Sequence, residues 1–228
     1  MDPATELPVA QIKFAWWNEE MSRLADGSPL HPITRYLAQF ANAAVTDWSL
    51  LARSAAAAAA HAAGAPLEHA SELSAHAQAL YAAPLLAASQ LGGVAGHSET
   101  PCVAALAPAL YLAAAAADHR RAARSGRVAF AVEELLAAGI GNEDLAADRP
   151  PPHLESYLTG VRSRARAYFL ESAAALMPRE RPPLRHLPVL AALGANHLAD
   201  RKARGPTDFK LADLYNAWNT ARRAAAGH

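Results

Sequence analysis

The run Cys102-Val103-Ala104-Ala105-Leu106-Ala107-Pro108-Ala109-Leu110-Tyr111-Leu112-Ala113-Ala114-Ala115-Ala116-Ala117 decides how this chain is read. It is the strongest apolar stretch, so it is either a membrane span or the core helix of a folded bundle. A spanning helix wants about 18 or more apolar residues in a row. This run is shorter, is interrupted by Pro108, and consists largely of alanine, a weak membrane anchor. It reads as a buried core helix that starts at Thr100-Pro101 and ends near Ser125-Gly126. No transmembrane segment is expected.

The same pattern extends outward in both directions. Alanine is the best intrinsic helix former, and it recurs in long stretches such as Ala55 to Ala60. No segment alternates apolar and polar residues long enough for a sheet. Val9 to Leu24 reads as a first helix, with Ile12, Trp16 and Leu24 near one stripe, ended by Gly27-Ser28-Pro29. His31-Pro32 opens a second, with proline in the first turn, where a missing N–H costs little. Thr46-Asp47 starts a third, which ends near Gly64-Ala65-Pro66. Ser71 caps a fourth that runs to Gly92-Gly93 with a kink near Pro84. After the core helix, Val132 to Ala138 is short and stopped by Gly139. Arg149-Pro150-Pro151-Pro152 is a stiff connector, and His153 to Met177 is a long amphipathic helix. Pro182-Pro183 leads into another up to about Arg204, and the last spans Asp208 to Ala225. Short loops between long helices predict an all-α, antiparallel helical bundle, a single domain over residues 1–228.

Composition excludes several functions. The 21 basic residues balance 21 acidic ones, so no global charge attracts nucleic acid or an anionic membrane. The one cysteine, Cys102, forms no internal disulfide and fits a reducing compartment. The start, Met1-Asp2-Pro3-Ala4-Thr5-Glu6, lacks the basic and apolar regions of a signal peptide. A cytoplasmic location is expected, with the membrane periphery as the alternative.

Three groups of residues are candidates for chemistry. His69, Glu72 and His76 share one face of the fourth helix, a spacing at which imidazole and carboxylate can hold zinc or iron. The spacing is neither H-E-x-x-H nor a paired E-x-x-H, and such residues more often form a solvated face. His119, Arg120, Arg121, Arg124 and Arg127 cluster at the end of the core helix. There they complement the helix dipole, or bind phosphate or diphosphate through arginine forks. Arg162, Arg164 and Arg166 form a second basic set. The pair Trp16-Trp17 points two ways, since neighbours on a helix diverge by about 100°. One tryptophan is expected in the core. No P-loop, G-x-G-x-x-G or C-x-x-C is present.

The stretch Arg124-Ser125-Gly126-Arg127-Val128-Ala129-Phe130-Ala131-Val132-Glu133-Glu134-Leu135, followed by Gly139-Ile140 and Glu143-Asp144-Leu145, resembles squalene/phytoene synthases. That family typically reads R-x-G-R-x-x-x-P-x-D/E-E-L, then G-L/I, then E-D-L; Ala131 replaces the proline. Ile12-Lys13-Phe14-Ala15-Trp16-Trp17-Asn18-Glu19-Glu20 and Gly27-Ser28-Pro29-Leu30-His31-Pro32 look like the family's L-x-W-W-x-x-E-L and G-x-P-x-H-P-V/I. Leu187-Pro188-Val189-Leu190 and Asn196-His197-Leu198 are similar in style to its end.

The resemblance implies an isoprenoid-synthase-type bundle. Family members join two prenyl diphosphates head to head, using Mg²⁺ held by two aspartate-rich motifs. Here Asp118 matches the first aspartate of the second motif, N-I-L-R-D-x-x-x-D, while Ala114 and Ala122 replace its asparagine and second aspartate. The first motif belongs on a helix ahead of Trp16-Trp17, so the expected bundle is N-terminally shortened. One carboxylate is a poor platform for Mg²⁺. The expectation is a family member without classical Mg²⁺-dependent prenyl transfer, serving as a prenyl- or lipid-binding protein or as an assembly-type protein that supports a partner. Any diphosphate site would use Asp118 through a metal, with Arg121, Arg124 and Arg127 as anion contacts. The alternative is an active prenyltransferase that takes its metal ligands from outside this sequence or uses a changed mechanism.

Overall fold

A proline inside a helix leaves the carbonyl four residues earlier without its usual donor, and this chain meets that problem twice at its centre. The computed structural model describes residues 3–94, 100–175, 186–199 and 217–222. Among these the regular elements are helical. They are α1 (Pro3–Ala25), α2 (Pro32–Leu37), α3 (Ser49–Ala62), α4 (Ala70–Ala77), α5 (Ala83–Leu91), α6 (Thr100–Arg124), α7 (Val132–Ala137), α8 (Asn142–Ala146), α9 (Pro152–Ala175) and α10 (His186–Ala199).

The fourth expected helix is thus split. A π-helical turn, Gln78–Ala82, joins α4 to α5 just ahead of Pro84. Pro84 offers no N–H to Leu80 O, and Ser54 Oγ of α3 donates to that oxygen at 3.0 Å. Pro108 sits inside α6 without breaking it, and Gln78 Nε2 donates to the Ala104 carbonyl at 2.7 Å. Side chains from neighbouring elements answer both carbonyls, and α6 continues through its proline to Arg124.

Helix α6 is the axle of the bundle, packed mainly against α9 and also against α10, α8 and the π turn. One part of the core surrounds Tyr111, Leu112, Phe130, Leu154 and Leu158. Another joins Val103, Leu106, Phe169, Leu187 and Ala191. A smaller cluster of Met21, Leu24 and Trp48 ties α1 to α3. By length and composition residues 101–124 could cross a membrane, yet 61% of that apolar window is buried against the rest of the chain. Its apolar surface is already used, as a core helix requires.

Other boundaries moved for local reasons. Helix α1 begins at Pro3, ahead of Val9. His69, not Ser71, is the N-cap of α4. A 3-10 turn at Ala43–Val45 and the five-residue α8 were not foreseen. The expected limits Met177 and Arg204 lie outside the described residues, as does most of the last expected helix, of which 217–222 are helical.

Two measurements test this packing. Ser54→Ala should cost about 1 kcal/mol, the usual net value of one hydrogen bond. That cost should shrink in a Pro84→Ala background, where a backbone N–H can serve Leu80; denaturant titration of the double-mutant cycle reads it. Gly194→Ala in α10 should also destabilise. Helix propensity alone would gain about 1 kcal/mol, but the added methyl overlaps the Phe169 ring, and overpacking costs about 1–3 kcal/mol.

Candidate functional site

The four diphosphate-site candidates, Asp118, Arg121, Arg124 and Arg127, lie at the basic end of α6 and just beyond it, and the fold sends them to three different jobs. Arg121 Nε and Nη2 each donate to Asp118 at 2.7 Å, a two-pronged pair one turn apart. This pairing raises the Arg121 pKa. Arg124 instead reaches across to α8, donating to Ala146 O at 3.2 Å and to Asp148 Oδ1 at 2.6 Å. Arg127 donates to Ser125 Oγ at 3.1 Å and lies along a cavity between α3, α4 and the segment after α6.

That cavity has a volume of about 80 Å³, and His61, His76, Arg127, Gly64 and Leu67 contribute to its wall. Gly64 turns the chain there with φ 73°, a conformation that favours glycine. A Cβ on it would come within 3.3 Å of Arg127 Cγ. His61 and His76 stack with ring centroids 5.5 Å apart. Tyr111 stands edge-on to both, at 6.1 and 5.6 Å, and Tyr81 stands edge-on to Tyr111 at 6.5 Å. Tyr111 is only 2% exposed. Its hydroxyl and His76 Nε2 are both buried without a hydrogen-bond partner.

Burial sets the protonation of this group. It lowers the pKa of both histidines; His76 and Arg127 depress His61 further, and Asp118 partly opposes them. Burial also pushes the Tyr111 hydroxyl well above its ordinary value, with Tyr81 adding to it. The cluster is therefore neutral imidazole and phenol beside one guanidinium. His61 was not singled out in the sequence reading. Its only local signal is a lone histidine at the end of an alanine run.

The candidate metal set His69, Glu72 and His76 does not assemble. His69 Nδ1 lies 2.9 Å from Glu133 Oε2. Glu72 accepts from the Glu68 and His69 backbone N–H groups at 2.7 and 3.4 Å. His76 turns inward to His61. Among the described residues no group of three or more His, Cys, Asp or Glu side chains is placed to hold a metal. Mg²⁺ fits no better at the α6 site, because the Asp118 oxygens already receive Arg121 and Ala122 supplies no ligand.

Several quoted motif residues turn out to hold the scaffold. Glu133 accepts from Ala70 N at 2.6 Å and so caps α4. Glu134 faces the other way, accepting from Arg164 at 2.7 and 2.8 Å and from Tyr157 at 3.0 Å on α9. Asp144 accepts from Gly141 N at 2.9 Å, capping α8. Of the two tryptophans, Trp17 packs against the Met21, Leu24 and Trp48 cluster, while Trp16 lies at the surface. Trp16 is 39% exposed, Trp17 is half-buried, and both pack on His31 at 5.6 and 5.0 Å. The buried residue of that motif is Glu20, at 0% exposure. It accepts from Leu30 N and His31 N at 2.8 Å, from Arg23 Nε at 2.9 Å, and from Thr34 Oγ1.

A model of the squalene/phytoene synthase family matches residues 2–222, and the chain belongs to that family. A crystal structure of a dehydrosqualene synthase in complex with ligand is similar at TM-score 0.76 and 12% identity, covering 93% of this chain and 77% of that one. Squalene synthase HpnC from Alicyclobacillus acidocaldarius is similar at TM-score 0.70 and 19% identity, covering 82% of this chain and 71% of that one. These likenesses establish an all-α, isoprenoid-synthase-type fold. None of the curated proteins matches the chain.

The Glu20 joint predicts a pH effect. Burial alone would raise its pKa, but the bonds from Thr34, His31, Arg23 and Leu30 outweigh it and hold the carboxyl at about 2 rather than 4.5. A depressed carboxylate stabilises the fold above its unfolded pKa and loses that contribution as pH falls through the folded one. Thermal melts should therefore show Glu20→Gln less stable than the unmodified chain at neutral pH. The gap should close as pH drops from 4.5 toward 2. A gap independent of pH would refute the assignment.

Proposed function

We propose that this chain is a squalene/phytoene synthase-like protein that has given up the Mg²⁺-dependent head-to-head condensation and binds a prenyl or lipid ligand, or supports a partner protein. The observation that carries this reading is the closed Asp118–Arg121 pair at 2.7 Å. Where the family places a metal-holding carboxylate, this chain offers one already neutralised by its own guanidinium. The second family aspartate is Ala122, which is buried. Releasing a diphosphate requires neutralising several negative charges as they develop, and a paired, partly exposed carboxylate is poorly suited to holding the cation for that.

A second observation supports the partner-protein branch. Ile12, Ile33, Tyr36 and Phe40 are exposed on α1 and around α2, together with Leu30. A concentration of large apolar side chains at a surface is a common mark of an interaction site. The active-transferase alternative would require metal ligands beyond the residues described, or a changed mechanism.

The test is incubation with farnesyl or geranylgeranyl diphosphate and Mg²⁺, following pyrophosphate release and products. The expected result is no sustained turnover. Saturable binding of the prenyl diphosphate, seen as a thermal shift, would mark the ligand branch. Steady pyrophosphate release with a head-to-head product would overturn the proposal and favour the transferase.

A further inference from the structure

We propose that the outer face of α1 and α2 docks on a lipid bilayer that carries anionic headgroups. Ile12 and Trp16 lie about one turn apart on α1 and are both exposed. Ile33 and Tyr36 share one side of α2 and are 59% and 62% exposed. Phe40 stands edge-on to Tyr36 at 5.3 Å, and exposed Leu30 precedes the helix cap. The two rows meet where Trp16 packs edge-on against His31, the N-cap of α2. A contiguous run of large apolar side chains at a surface marks an interaction site.

The inner side of the same elements is already occupied. Trp17, Met21 and Leu24 of α1 and Leu37 of α2 join Trp48 in one cluster. Glu20 holds the backbone N–H groups of Leu30 and His31 at 2.8 Å. The outer side chains are thus displayed on a fixed frame.

Charge selects the partner. Residues 7–18 contain one charged side chain, Lys13. Residues 27–46, half-buried His31 apart, contain only Arg35. Both cations are exposed, and among the described residues neither has a carboxylate partner. Glu19, three residues beyond Trp16, is paired with Arg23 at 3.5 Å. The chain as a whole balances 21 basic against 21 acidic residues, so this excess is local. Tryptophan and tyrosine beside lysine and arginine suit a membrane interface. The rings sit at headgroup level, and the long cationic stems keep their charge there while apolar neighbours enter the acyl boundary. An anionic leaflet supplies the apolar layer and the negative charge together.

The partner of this face is therefore a lipid surface rather than a protein. The inference is independent of the loss of prenyl transfer, because it needs nothing bound inside the bundle.

Flotation of the intact chain with vesicles tests it. One arm uses phosphatidylcholine alone, and the other adds about 30% phosphatidylglycerol. Binding to the anionic vesicles is expected, several-fold weaker on phosphatidylcholine and weaker again at about 0.5 M salt, where charges are screened. Brominated lipid should quench tryptophan fluorescence, and Trp16→Phe should remove most of that quenching. The double variants Ile33→Ser with Tyr36→Ser, and Lys13→Glu with Arg35→Glu, should each weaken binding about tenfold or more. Leu136→Ser, at an exposed position on α7, should leave it unchanged. Circular dichroism confirms that each variant folds. No binding to anionic vesicles, undiminished binding by either folded double variant, or quenching unaffected by Trp16→Phe would each overturn the proposal. So would a lipid-free dimer in sedimentation that Ile33→Ser with Tyr36→Ser dissociates, since that assigns the face to a second copy of the chain. Steady pyrophosphate release would overturn the proposed function and leave this face as it stands.

Discussion

An unanswered backbone carbonyl sets the arrangement of the middle of this molecule. Pro84 and Pro108 each withdraw a donor from a helix, and in each case a side chain of the next helix supplies one. Ser54 ties α3 to the π turn at Leu80, and Gln78 of that turn ties to α6 at Ala104. These two bonds fix the register of three helices in series. His61 is seven residues beyond Ser54 and Tyr111 is seven beyond Ala104. Seven residues make nearly two helical turns. The faces that carry the proline repairs therefore also carry His61 and Tyr111.

The charges at the end of α6 show the same economy of means. Four cationic or anionic candidates close to one another in sequence share no common ligand. Asp118 and Arg121 satisfy each other, Arg124 fastens α8, and only Arg127 reaches a cavity.

Much of the fold was legible because helices announce themselves through local rules. Proline at position 32 opened α2, Gly139 closed α7, and the apolar run from Cys102 proved to be the core helix. What failed had a common physical cause. Spacing along one helix says which residues share a face, but not what that face meets. His69, Glu72 and His76 share a helix, yet Glu133 draws away the first, the backbone takes the second, and His61 takes the third. The histidine and tyrosine pair that flanks His76 is far from it in sequence, so no local pattern could reveal it. In the Trp16-Trp17 motif one ring, Trp17, packs on a core cluster, while the plainer Glu20, which no pattern singled out, forms the buried joint. The π turn before Pro84 was foreseen only as a kink.

The adjacent carboxylates of α7 have one more consequence. Glu133 grips the first turn of α4, which bears the cavity's His76, and Glu134 grips Arg164 and Tyr157 midway along α9. Side by side on a six-residue helix, they act as a rivet through two plates. Through these two side chains the start of α4 and the middle of α9 are held to the same short helix.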